Sequence, residues 1–166
     1  MLRAITKAIC EDNDEVMREV ESCLADPEGY FESHQNQFDE RGIEEYEEIE
    51  EEISWLAMVD ALENNGYACE VDWSAGVEDF LYLLGELKGV QMKELPLDEE
   101  WFDEEGDVSE WCEILDAKWA PEGFAVLAID IDSDSYVLFP YELDLVDELC
   151  EMAEAIDQRI DFGKNM

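Results

Sequence analysis

Basic residues are nearly missing from this chain: nine Lys plus Arg stand against 48 Asp plus Glu, a formal net charge of -39. Such a field repels nucleic-acid phosphates and anionic membrane surfaces, so neither is expected as a partner. It attracts basic proteins and divalent cations over about a Debye length. Histidine is reduced to His34, in the polar run Ser33-His34-Gln35-Asn36-Gln37. That setting reads as ordinary surface, and cysteine–histidine catalysis would need His34 to meet a thiol in space. The five cysteines, Cys10, Cys23, Cys69, Cys112 and Cys150, are widely spaced, odd in number and never form a C-x-x-C pair. A zinc site built from them is not expected, and free buried thiols in a reducing compartment, the cytoplasm, are. No run approaches the ~18 apolar residues that a membrane helix needs. Glu11, Asp12 and Asp14 interrupt any secretory signal after the basic residues Arg3 and Lys7. A phosphate-cradling glycine loop, a G-x-S-x-G elbow and an H-E-x-x-H helix are all lacking, and no cofactor is implied.

Apolar residues, by contrast, are plentiful: 47% of the 166 residues, with five Trp, six Tyr and seven Phe. Disordered acidic chains lack such groups, so the pattern predicts one folded domain over residues 1–166 with an acidic coat. Helical spacing predicts two pieces over residues 2–25, the second starting near Asn13 or Asp14, before Pro27 and Gly29. A short helix or turn follows through Tyr30, Phe31 and Phe38. A long helix is predicted from about Ile43 to Asn64, with Ile43, Tyr46, Ile49, Ile53, Leu56 and Ala57 on one stripe. Its front carries Glu44, Glu45, Glu47, Glu48, Glu50, Glu51 and Glu52, and Asn64-Asn65-Gly66 ends it. Asp60 falls on the apolar stripe and reads as a structural hydrogen-bonding group.

Alternation from Tyr67 to Trp73 predicts a half-buried strand, and Val77 to Leu87 a helix. Residues 94–107 read as an exposed acidic loop with Trp101 and Phe102 as anchors. Ser109 is expected to cap a helix carrying Trp111, Cys112, Leu115 and Trp119. Two strands, Phe124 to Ile131 and Tyr136 to Phe139, surround a tight turn at Asp132-Ser133-Asp134-Ser135, and Pro140 closes the second. A last helix spans roughly Asp144 to Ile160. The fold class is therefore α+β: a small antiparallel sheet of three to four strands wrapped by about five to six helices.

The best chemical constellation is Asp130, Asp132 and Asp134. A two-residue turn at Ser133-Asp134 would set Asp130 opposite Val137, with Phe139 on the same face. Clustered carboxylates suit Mg²⁺ or Ca²⁺, with Glu70 or Asp72 as neighbours. The string departs from a calcium loop, since position six is Ser135 rather than Gly and position twelve is Tyr141 rather than Glu. Backbone-bonding aspartates of a turn explain the same residues.

The segments Asp26-Pro27-Glu28-Gly29-Tyr30-Phe31, Glu70-Val71-Asp72-Trp73, Glu110-Trp111-Cys112 and Ile129-Asp130-Ile131-Asp132-Ser133-Asp134-Ser135-Tyr136-Val137-Leu138 carry a resemblance. The chain resembles a family of bacterial proteins of similar length to which no activity is assigned. The resemblance implies a bacterial, stand-alone, cytoplasmic protein and adds nothing on mechanism.

Function is then expected to be binding rather than catalysis: sequestration of a basic protein, as by the immunity protein of a nuclease toxin. The contact residues expected are Glu44, Glu45, Glu47, Glu48 and Glu51 on one face, and Trp101, Phe102, Glu104 and Glu105 on another. Two alternatives stand beside it. One is a divalent-cation protein or metal-dependent hydrolase centred on Asp130, Asp132 and Asp134. The other is a small adaptor or self-associating protein.

Overall fold

The computed structural model describes residues 1–166, and the chain is divided into two compact units, Leu2–Asn65 and Gly66–Met166, the latter including Met1. The class is α+β, with nine α-helices and a single four-stranded antiparallel sheet.

The first unit is helical: α1 (Leu2–Cys10), α2 (Asp14–Ala25), α3 (Pro27–Ser33), α4 (Gln35–Glu40) and α5 (Ile53–Asn64). Asn13 sets the first corner, its Oδ1 accepting the N–H groups of Glu15 and Val16 at 3.1 and 3.2 Å. Asp26 ends α2 and also caps α3, where Pro27 occupies the first turn and Gly29 donates to the Asp26 carboxylate at 3.1 Å. Ile5, Val16, Val20 and Cys23 are fully buried, and Phe31 stacks on Phe38 with ring centroids 5.0 Å apart. Asp60 is 6% exposed on α5. Arg41 and Gln37 both donate to its carboxylate, and Glu63 lies 3.8 Å from the same guanidinium.

The long helix expected from Ile43 begins instead at Ile53, and ahead of it only Tyr46–Glu48 make a single 3₁₀ turn. Seven glutamates within residues 44–52 set like charges four apart on any helix, while the helix dipole rewards acids only in the first turn. The chain settles for a local solution, in which the Glu48 carboxylate accepts the N–H groups of Glu44 and Glu45 at 3.2 and 2.9 Å.

The second unit runs β1 (Cys69–Asp72), α6 (Val77–Gly85), α7 (Lys88–Met92), α8 (Val108–Trp119), β2 (Phe124–Ile129), β3 (Ser135–Glu142), α9 (Val146–Glu154) and β4 (Ile160–Phe162). The strand order is β1-β3-β2-β4, antiparallel throughout. Val71, Val126, Ala128 and Leu138 join a core with Phe80, Leu84, Trp111, Leu115 and Trp119. Indole N–H groups pin the acidic segment between α7 and α8: Trp111 donates to the Asp103 carbonyl at 2.9 Å and Trp119 to that of Pro96 at 2.8 Å.

Several boundaries differ from those the pattern predicts. Asp107, not Ser109, caps α8, with Glu110 completing a reciprocal capping box. Ser109 donates to the Lys164 carbonyl at 2.8 Å instead. Pro140 lies inside β3, opposite Val126, where β1 has already ended and no ladder partner is lost on that side. The last helix stops at Glu154, because Asp157 turns left-handed at φ 56° and sends Ile160 to pair with Ile129.

Beyond β4 the chain turns along α8. A Cβ on Gly163 would meet the Cys112 Sγ at 2.7 Å, so only glycine permits this approach. Asp116 ties three parts together: it accepts the Val126 N–H at 2.9 Å and meets the Lys164 Nζ at 3.3 Å, with its side chain only 10% exposed. Burial pushes its carboxyl above the usual range, against the pull of those two donors.

In the first unit, Asp60→Ala leaves Arg41 and Gln37 facing a lost carboxylate in a buried setting and is expected to destabilise the protein by about 3–5 kcal/mol. Urea unfolding followed by circular dichroism measures this, and a loss below about 1 kcal/mol, the worth of an exposed pair, would contradict it.

Candidate functional site

The β2–β3 connection lies at one end of the sheet, and its side chains organise its own backbone. Asp130 Oδ1 accepts the Asp132 N–H at 2.9 Å, and Ser133 Oγ accepts the Ser135 N–H at 3.1 Å. Asp132 takes a left-handed φ of 52°, a conformation that aspartate tolerates better than most residues. The loop is held from outside as well. Trp73, just past β1, donates its N–H to the Asp134 carbonyl at 3.1 Å, and the Asp130 N–H donates to the Arg159 carbonyl, just before β4, at 3.0 Å.

These strand ends enclose a cleft of about 450 Å³ lined by Trp73, Asp130, Asp132, Ser133, Asp134, Ser135, Tyr136, Arg159 and Met166. Trp73 is 62% exposed, although it is a large apolar group. The backbone around it is nonetheless ordered, because the preceding Asp72 Oδ1 accepts both the Ser74 N–H and the Ser74 hydroxyl. Those two donors hold the Asp72 carboxyl below its ordinary range. Arg159 lies 3.8 Å from Asp130 Oδ2 and 3.2 Å from Asp161 Oδ2, and donates to the Asn165 carbonyl at 2.9 Å. Asp161 is itself held low by the Asn165 amide, the Phe162 N–H and Arg159, against its partial burial.

Asp130 does not sit opposite Val137, as a two-residue turn would require. Ile129 takes that place, and Asp130 has left the ladder, its side chain 38% exposed beside Arg159. Five residues, Asp130 to Asp134, connect the strands in place of the two expected. No group of three or more His, Cys, Asp or Glu side chains is arranged to hold a metal ion. Glu70 pairs across from Val137 in the ladder, and Asp72 is engaged by Ser74.

The other anticipated contact residues divide by unit. Glu44, Glu45, Glu47, Glu48 and Glu51 are all exposed in the first unit, as are Glu104 and Glu105 in the second. Phe102 is not, being 8% exposed and edge-on to Phe80 at 5.9 Å. Trp101 is half-buried beneath the Lys118 ammonium, 4.7 Å from its ring centroid. Both rings anchor the acidic loop inward. His34 stacks on Tyr30 at 3.9 Å with Glu19 3.5 Å from its Nε2, so it is less of a bare surface group than its polar neighbours imply. Trp73, Arg159 and Met166 escaped the sequence reading of the cleft. The alternation sets Trp73 on the apolar side of its strand, whereas it lies just past the end of β1 and is exposed, and nothing signalled the other two.

The depressed Asp72 carboxyl stabilises the fold above its ordinary pKa, and this contribution fades as pH falls through the lower folded value. Ser74→Ala removes the hydroxyl donor, so the Asp72 midpoint is expected to move up toward the ordinary range in a carboxyl ¹³C NMR titration. An unmoved midpoint would exclude the hydroxyl as its cause.

No curated protein and no solved structure matches the chain. A family model described as a domain of unknown function, DUF6630, matches residues 1–163, and the chain belongs to that family.

Proposed function

We propose that this chain is a non-enzymatic acidic binding protein that sequesters a basic protein partner. The observation that carries the reading is the exposed run Glu44, Glu45, Glu47, Glu48, Glu50, Glu51 and Glu52. The Lys and Arg ion pairs of that unit lie elsewhere, at Arg3–Glu21, Lys7–Asp12, Arg41–Asp60 and Arg41–Glu63. Seven carboxylates held without a neighbouring cation create a local field that draws in a basic surface and disfavours a neutral or acidic one. A surface that grips phosphate, such as the active face of a nuclease, has the complementary charge, and an immunity protein for a nuclease toxin is the example this chemistry fits. The five cysteines are free, in keeping with a reducing bacterial cytoplasm as the place of action. No helix is long and apolar enough to cross a membrane.

Affinity capture from the native cell at low and high salt tests the reading, with a basic protein expected at low salt. Replacing Glu44, Glu45, Glu47, Glu48 and Glu51 together by Gln is expected to slow association with the captured protein by about tenfold or more, with a smaller change in dissociation. Recovery of no basic protein at low salt, or an unchanged association rate in the variant, would overturn it.

A further inference from the structure

We propose that the cleft at the hairpin end of the sheet receives an arginine side chain of the basic partner, an inference that rests on the binding reading above. The cleft belongs to the second unit and the Glu44–Glu52 run to the first, so the two surfaces are separately testable.

Size and lining select the occupant. About 450 Å³ lies within the ~300–1,000 Å³ range of pockets that take organic groups and far exceeds what a bare ion fills. A divalent ion needs six or more converging oxygens, and the carboxylates here form no such group. A flat cation, in contrast, finds an indole face to stack on and carboxylates to pair with. Trp73 supplies the first: its backbone is held between the Asp134 carbonyl and the Asp72–Ser74 turn, and 62% of the residue faces solvent. Tryptophan is enriched among the residues that anchor interfaces, where its large ring is desolvated on contact.

Asp132 and Asp134 supply the second requirement. Arg159 is engaged by Asp130 and Asp161, so the exposed carboxylates of Asp132 and Asp134 keep an uncompensated charge at the rim. Arg159 is also an internal example of the recognition, a guanidinium shared between carboxylates and the Asn165 carbonyl in the same cleft. Guanidinium is planar, weakly hydrated and able to stack and donate in a fork, whereas an ammonium is compact and strongly hydrated. Arginine is therefore favoured over lysine.

The test is a heteronuclear NMR titration of the full ¹⁵N-labelled chain with deca-arginine and deca-lysine peptides, and with Mg²⁺ alone. Deca-arginine is expected to shift the Trp73 indole N–H and the amides of residues 132–136 at lower concentration than deca-lysine. Trp73→Ala should weaken deca-arginine binding about tenfold and Trp73→Phe much less, with thermal melts unchanged because the ring is exposed. Shifts confined to residues 44–52 would overturn the cleft while leaving the binding reading intact. Equal response to deca-lysine would overturn the choice of arginine. Saturable Mg²⁺ shifts at residues 130–136 without any arginine response there would replace the proposal by a cation site. No shift with either peptide would defeat both readings.

Discussion

The shortage of positive charge governs how this fold is assembled. Nine cations cannot neutralise 48 carboxylates, so their placement decides which acids can enter the interior. Three are set where a carboxylate is buried or partly buried: Arg41 against Asp60, Lys164 against Asp116, and Arg159 between Asp130 and Asp161. An uncompensated charge in such a place would cost several kcal/mol or force the group to take up a proton. The first pair secures the helical unit, the second joins α8, β2 and the final turn, and the third steadies the end of the sheet. Most other carboxylates are left to water, which solvates them without help.

That allocation gives the surface two different kinds of acidic feature. Glu44 to Glu52 form a dense, exposed run whose backbone is arranged by its own carboxylates, with no apolar anchor among the exposed groups. Such a surface acts at a distance and orients an approaching partner. The hairpin cleft has fewer charges but adds an exposed aromatic ring and a concave shape, the features that slow departure after contact.

Much of the architecture was legible because helix caps and strand alternation leave local marks. Asn13 announced the start of the second helix and Pro27 its end, although Pro27 also opens the next helix, and the alternation before Trp73 and around Asp132 announced three of the four strands. The fourth, Ile160–Phe162, is too short to show a period and follows a helix whose apolar spacing runs straight toward it. Only the left-handed Asp157 separates them. The front of the predicted long helix failed for a different reason, since a regular apolar stripe says nothing of repulsion among the glutamates between its members. The cleft was half legible. Its aspartate string lies in one stretch of sequence, but Trp73 and Arg159 reach it only through the pairing of β1 and β4 with the hairpin strands, and register is a non-local property.

The Asn65–Gly66 bond, where the chain passes into the second unit, carries a consequence for the ageing of the molecule. Asn65 is followed by Gly66, whose φ is 78° and which has no side chain to shield its backbone nitrogen. Attack of that nitrogen on the Asn65 amide closes a succinimide, releases ammonia, and opens to aspartate or isoaspartate. The Asn65 amide is restrained by its donation to the Ala61 carbonyl at 2.8 Å at the end of α5, a bond that opposes this attack. Slow loss of this one amide would add a carboxylate, and in the isoaspartyl form an extra backbone methylene, where the chain passes from Asn65 to Gly66.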